Sequence, residues 1–213
     1  MDANGKDRSK CVLLLTEGES AKLGMGAARN PEIHAGLDLR GKVLNVNGMS
    51  AKEVILNREI ADIMNSIGLQ INVKADRKNL RYGQIWLATD ADLDGANIAA
   101  LLVNFFYSYW PELFDVKQEP FIHVFQTPLL VVKNKKDKIY WYNDNYQEFK
   151  IEDYPGYDIS RKKGLGALNE DDWIHCLQNP MLTPILDDGN IQETLDLIFN
   201  KIRADDRKNW MGI

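Results

Sequence analysis

Two apolar runs in this chain end abruptly on acids. Residues 11–16 (CVLLLT) run into Glu17, and residues 85–89 (IWLAT) run into Asp90. Each is too short for an ordinary helix and lacks apolar/polar alternation, so each reads as a strand covered on both faces. Strands of that kind need helices above and below, and the intervening sequence supplies them. Residues 20–29 are compatible with a helix. Residues 50–67 carry apolar side chains at Val54, Ile55, Ile60, Ile63, Met64 and Ile67, a helical spacing that ends at Gly68. Residues 98–109 form a long apolar helix pattern stopped by Pro111, and residues 42–46 (KVLNV) read as a further short strand. The expected class is therefore α/β, a Rossmann-like, mostly parallel sheet flanked by helices.

The second half changes character. FIHVFQ, LLVVKN and KIYWYN read as strands around short turns, and residues 170–178 and 191–202 read as helices. The organisation predicted is a flexible segment over 1–10, a core over 11–118, and an α+β extension over 119–213.

The second apolar run continues into acids at alternate positions, Asp90, Asp92 and Asp94, followed by Gly95. This matches the first half of a calcium EF-hand loop, but the twelfth position is Leu101 instead of a bidentate Glu, and the preceding segment is strand-like. Asp94 is expected as the N-cap of the helix that follows. In parallel sheets, functional groups gather at the carboxyl ends of strands. If the two strands are neighbours, Glu17, Asp90 and Asp92 meet in one crevice. Carboxylates without His or Cys favour Mg²⁺, with Mn²⁺ as a substitute, and the implied chemistry is phosphoryl transfer.

Composition sets further bounds. Two cysteines, Cys11 and Cys176, are too few for a disulfide framework and read as buried thiols. No run is long enough to span a bilayer, and the N-terminal residues are polar, which predicts a cytoplasmic protein without a membrane partner. The formal charge of −5 argues mildly against nucleic acid, yet basic residues cluster in KADRKNLR, KNKKDK, SRKKG and KIRADDRK. His34, His123 and His175 are scattered and read as surface or core residues.

The motifs carry a family resemblance. TEGESA (16–21) resembles the EGDSA motif, and TDADLDG (89–95) the TDxDxDG motif, of the Toprim domain of type IIA DNA topoisomerases. LRGKVLNV, LRYG, NFFYSYWPELF, TPLL, KGLG and ADDRKNW resemble further blocks, in the family's order, from about residue 11 to 210. The two acidic motifs are shared with primases and some nucleases, whereas KGLG and ADDRKNW belong to the topoisomerase B-type subunit, of the gyrase B or topoisomerase II kind. The short blocks suggest a phage-type source.

The resemblance implies Glu17, Asp90 and Asp92 as Mg²⁺ ligands, with Asp94 a further or indirect one, and Glu17 as an acid/base candidate. It implies Lys42, Arg81 and Lys163 as DNA contacts, and so a DNA-associated protein. It further implies action on double-stranded DNA with an A-type breakage-reunion subunit that carries the catalytic tyrosine. ATP would be used only by an upstream ATPase domain, which nothing here resembles. None of the eight Tyr fits the breakage-reunion role, so the chain reads as a topoisomerase part that is inactive alone. Glu19 replaces the usual Asp, and Ala96, Asn97 and Ala99 stand where the family has Ser, His and a basic residue. The alternatives are a Toprim-derived Mg²⁺- and DNA-binding scaffold without catalysis, or a D-x-D phosphatase or nuclease.

Overall fold

The computed structural model describes residues 1–212. Its strands are β1 Val12–Glu17, β2 His34–Leu39, β3 Gln84–Ala88, β4 Ile122–Gln126, β5 Leu130–Lys133, β6 Lys138–Trp141, β7 Asp158–Arg161 and β8 Met181–Ile185. Its helices are α1 Glu19–Ala28, α2 Ala51–Leu56, α3 Arg58–Ile67, α4 Leu93–Tyr109, α5 Glu170–Gln178, α6 Ile191–Phe199 and α7 Ala204–Met211.

The larger sheet has the order β2-β1-β3-β4-β8, parallel except for β8, which runs antiparallel to β4. From β1 the chain crosses to β2 on one side, then returns to place β3 on the other. The reversal of direction lies between β1 and β3, where open α/β sheets form their binding crevice. A smaller antiparallel sheet, β6-β5-β7, is built between β4 and β8 in sequence.

The alternation of side chains along a strand sorts the core into two layers. Leu13, Leu15, Ile85 and Leu87 face α3 and α4. Val12, Leu14, Trp86 and Ala88 face the other way, onto Met25 of α1 and Trp173 of α5. Both runs are buried on both faces, as their unbroken apolar character predicts. Cys11 and Cys176 are buried free thiols, His34 and His123 are buried, and His175 stacks on Tyr140.

Several elements differ from the sequence reading. Residues 42–46 are not a strand; Val43 and Val46 are buried in irregular backbone. The edge strand is instead β2, whose Gly36 gives α1 its approach: a Cβ there would sit 2.1 Å from Cε of Met25. The single helix expected over 50–67 is two, because Asn57 takes an extended conformation and its side chain accepts from the Ile60 N–H at 3.0 Å, capping α3. Gly68, left-handed at φ 90°, ends α3 as expected. Helix α4 begins at Leu93, and its N-cap is Asp92, not Asp94. Helix α6 ends at Phe199, and a short 3-10 turn, Lys201–Arg203, follows.

The first ten residues, expected to be flexible, are pinned. The N-terminal amine donates to Gly36 O, Gly5 N–H to Glu32 O, and Asp2 pairs with Arg8 and Arg81. Strands β4 and β8 complete the larger sheet from beyond residue 118, so both the proposed core and the proposed extension contribute to it.

Candidate metal centre

Glu17 is the last residue of β1, and Asp90 follows β3 by two residues. The two strands are hydrogen-bonded neighbours in parallel register, with Thr16 opposite Ala88. Their carboxyl ends therefore deliver both acids to the same crevice.

Each of three carboxylates is oriented by a backbone amide. Oε2 of Glu17 accepts from the Asp90 N–H at 3.1 Å. Oδ1 of Asp90 accepts from the Leu165 N–H at 2.8 Å, and Oδ1 of Asp92 from the Gly95 N–H at 2.8 Å. Among the described residues, the second oxygen of each group has no hydrogen-bond donor. Burial and the nearby charges of Asp90, Asp92 and Asp94 push the Glu17 carboxyl above its ordinary range, against the pull of the Asp90 N–H. The four acids thus repel one another at a point where a cation would relieve them.

The donor set is all oxygen. Among the described residues, no group of three or more His, Cys, Asp or Glu side chains lies close enough together to hold a metal ion by itself. An open set of carboxylates suits Mg²⁺, which keeps several waters and takes one or two protein carboxylates. In donor chemistry the residues present suit that ion, although they are not gathered into a cluster of three.

Asp94 lies in the first turn of α4, exposed, with Oδ1 2.9 Å from Nζ of Lys42. Lys42 follows β2, so it belongs to the same rim. Lys163 is exposed beside Gly164. Arg81 is not brought to the site. It precedes β3 and sits at the amino edge of the sheet, paired with Asp2 and opposite the acids. The sheet separates it from them, so Arg81 is not gathered with the acidic centre as Lys42 and Lys163 are. Asn97 is exposed, and Ala99 is buried in the core.

The structure adds residues that the motif reading missed. The KGLG turn meets Asp90 through its backbone: a Cβ on Gly164 would lie 2.4 Å from Oδ2 of Asp90, so only glycine fits without displacement. Gly95 is equally constrained, with Asp90 O 2.0 Å from its would-be Cβ. Arg40, exposed at the end of β2, stands with Lys42 on the rim; its place in the LRGK block was the available signal. Beside the acids a cleft of about 920 Å³ opens between α4 and the end of β4, with Asp90, Asp92, Ala96, Ala100 and Phe125 among its walls.

The model of the Toprim domain matches residues 12–126, more than half of the chain. This chain belongs to the Toprim domain family. The Toprim match opens at β1 and closes on the last residue of β4, so it contains the parallel strands and both acidic motifs. Similarity extends beyond the Toprim segment. DNA topoisomerase 2 of Arabidopsis thaliana is 35% identical over 224 residues, covering 99% of this chain and 15% of that protein. DNA topoisomerase 2-alpha of Homo sapiens is 34% identical over 229 residues, with 99% and 14% covered. The crystal structure of the Plasmodium falciparum topoisomerase II DNA-binding, cleavage and re-ligation domain superposes with a TM-score of 0.86 at 32% identity. It covers 98% of this chain and 30% of that one. The Toprim chain thus spans about a seventh of the length of the curated relatives it matches. Among the described residues, no helix of this Toprim protein is long and apolar enough to cross a membrane.

Proposed function

We propose that this chain is the Mg²⁺-binding Toprim portion of an ATP-hydrolysing type IIA DNA topoisomerase. It supports transient cleavage and religation of double-stranded DNA with a tyrosine-bearing breakage-reunion subunit or region, and is inactive alone. ATP hydrolysis belongs to an upstream ATPase domain. The observation that carries this reading is the trio Glu17, Asp90 and Asp92, each held by a backbone amide with one oxygen to spare, at the β1/β3 reversal.

In strand cleavage a tyrosine oxygen attacks a backbone phosphate and the 3′-oxygen leaves. Bound Mg²⁺ (or Mn²⁺) would supply charge stabilisation for that leaving oxygen and the phosphate oxygens. Glu17, Asp90 and Asp92 would hold it, and Asp94 would act from further out. Arg40, Lys42 and Lys163, exposed around the same rim, are suited to hold phosphates as point charges or forks. Glu17 is the candidate to hold or release a proton, since its carboxyl already favours the protonated form more than an ordinary Glu does.

The test is a mixing experiment. Duplex DNA, Mg²⁺, the chain and the tyrosine-bearing region of a homologous enzyme should yield cleaved product, and each component alone should yield none. Robust cleavage or ATP hydrolysis by this chain alone would defeat the reading. Failure of the mixture to cleave, with DNA and metal still bound, would favour a non-catalytic scaffold.

A further inference from the structure

We propose that Asp172, on the first turn of α5, is a positioning residue for the acidic centre, acting through Lys162 and the turn that follows it. This rests on the reading of Asp90 as a metal ligand.

Asp172 is an unusual place for a charge. Its side chain is 1% exposed, and Oδ2 lies 2.9 Å from Nζ of Lys162, itself only 9% exposed. Oδ1 lies 2.8 Å from Nζ of Lys138 on β6. Asp172 also closes the capping box of α5: its Oδ2 accepts from the Asn169 N–H, and its own N–H donates to Oδ1 of Asn169 at 2.9 Å. Burial alone would raise the carboxyl's pKa, yet the two ammonium groups hold it below the ordinary value. A buried, doubly paired charge contributes little net stability compared with an apolar replacement, so its role is sought in what it fixes.

What it fixes is the turn at Asp90. Lys162 is anchored at both ends: its N–H donates to Leu129 O at 2.7 Å, and its Nζ donates to Ala167 O at 3.1 Å across the turn. Between these anchors lie Lys163, Gly164, Leu165 and Gly166. Leu165 is fully buried in the layer that contains Trp173, the residue after Asp172. Its N–H is the donor that holds Oδ1 of Asp90, and Gly164 is packed too closely against Oδ2 to admit a Cβ. The chain Asp172–Lys162–turn–Leu165 N–H–Asp90 is continuous, and it links α5 to a carboxylate at the end of β3. Loss of the Lys162 pair frees the turn, and Asp90 loses the amide that selects which oxygen is offered.

The experiment is Mn²⁺ titration of the full 213-residue chain, with amide hydrogen exchange at Leu165 as a second readout. Asp90→Asn sets the scale. Asp172→Asn and Lys162→Met should each weaken Mn²⁺ about tenfold or more, the usual effect of losing a group that orients a ligand. Both should speed exchange at Leu165 while β1 amides stay protected. Lys162→Met keeps the Asp172–Lys138 pair and serves if Asp172→Asn fails to fold. Ile63→Ala, in the opposite core layer, should lower the melting temperature without changing the affinity. Equal Mn²⁺ binding by Lys162→Met and the parent, with Asp90→Asn weakened, would overturn the inference and leave the metal site standing. So would an affinity loss in Ile63→Ala as large as that in Lys162→Met. Parental binding by Asp90→Asn would instead remove the metal-site reading itself.

Discussion

Lys42 Nζ lies 2.9 Å from Oδ1 of Asp94, joining the exit of β2 to the first turn of α4. Asp94 is the acid of the DADLDG run that no backbone amide holds among the described residues, and a cation holds it instead. Both side chains are well exposed, at 61% and 72%, so the pair is worth at most about 1 kcal/mol and is screened by salt. The pair keeps an ammonium at the rim of the acidic crevice, where the proposed DNA contact would need it.

Lys42→Ala should therefore leave the melting temperature nearly unchanged. In the assembled complex it should weaken duplex binding to a similar degree across sequences and flatten the salt dependence by about one phosphate contact. Lys163→Ala should behave in the same way. Arg81→Ala should not, because Arg81 sits at the opposite edge of the sheet with Asp2. Filter-binding isotherms at several salt concentrations decide the matter; sequence-selective loss would mean that base edges are being read.

The acids themselves are tested by metal titration. Asp90→Asn or Asp92→Asn should reduce Mg²⁺ or Mn²⁺ binding while the fold persists. The effect on metal-free stability should differ between them. Removing one negative charge relieves repulsion among Glu17, Asp90, Asp92 and Asp94. Asp92→Asn also keeps the N-cap oxygen that accepts from Gly95, because Asn caps as well as Asp. It should be neutral or slightly stabilising, read by thermal unfolding in chelator. Asp90→Asn risks placing an amide against Leu165 N–H and Gly164, and should be the less stable of the two.

How much of this centre was legible depends on the range of the contact. Strands β1 and β3 were readable because unbroken apolar runs need no partner to be recognised, and their acids follow directly. Strand β2 was hidden: His34, Gly36 and Asp38 interrupt its pattern, and Gly36 is there because α1 needs the space. Residues 42–46 were misread for the opposite reason. Val43 and Val46 are apolar because the core takes them, without any ladder partner. The N-cap moved from Asp94 to Asp92 because α4 starts one turn earlier than its apolar stretch. The amide of Leu165 lies 75 residues from Asp90 in sequence, and no local pattern announces a backbone donor at that distance. KGLG is recognisable as a block, but the roles of its glycine and of the Leu165 amide depend on Asp90, far away in sequence, and so leave no local mark.

A third expectation concerns stability and pH. Lys22 of α1 donates to Oδ1 of Asp38 on β2, whose side chain is 8% exposed, and this bond holds the Asp38 carboxyl below its ordinary value. A carboxyl depressed in the folded state stabilises fully above its unfolded pKa, about 3.9, and that contribution fades as pH falls through the folded value. Lys22→Ala should therefore cost about 1.5–3 kcal/mol near neutral pH, the range for a hydrogen bond to a charged group. The gap from the parent should shrink below about pH 4. Urea melts at neutral and acidic pH test this; a gap that widens on acidification would show that Asp38 is not the group involved.

The last expectation is catalytic and separates the two roles open to Glu17. Its Oε2 is fixed by the Asp90 N–H, so one oxygen faces the crevice, and its carboxyl is pushed up by burial and by its acidic neighbours. A cation placed among those neighbours would remove the repulsion and lower the carboxyl again, leaving it ionised and poorly able to donate a proton. The metal-holding role should therefore outweigh the proton role. Glu17→Gln keeps the size and one ligand oxygen but loses the charge. With a tyrosine-bearing partner region present, it should reduce cleavage and religation by about a hundredfold or more. If the loss reflects metal holding, raising Mn²⁺ should recover much of it. If it reflects proton transfer, saturating metal should leave the rate low at every pH where the parent still titrates. Parental cleavage by Glu17→Gln, with Asp90→Asn inactive, would make Glu17 a structural end to β1 and confine the chemistry to the aspartates after β3.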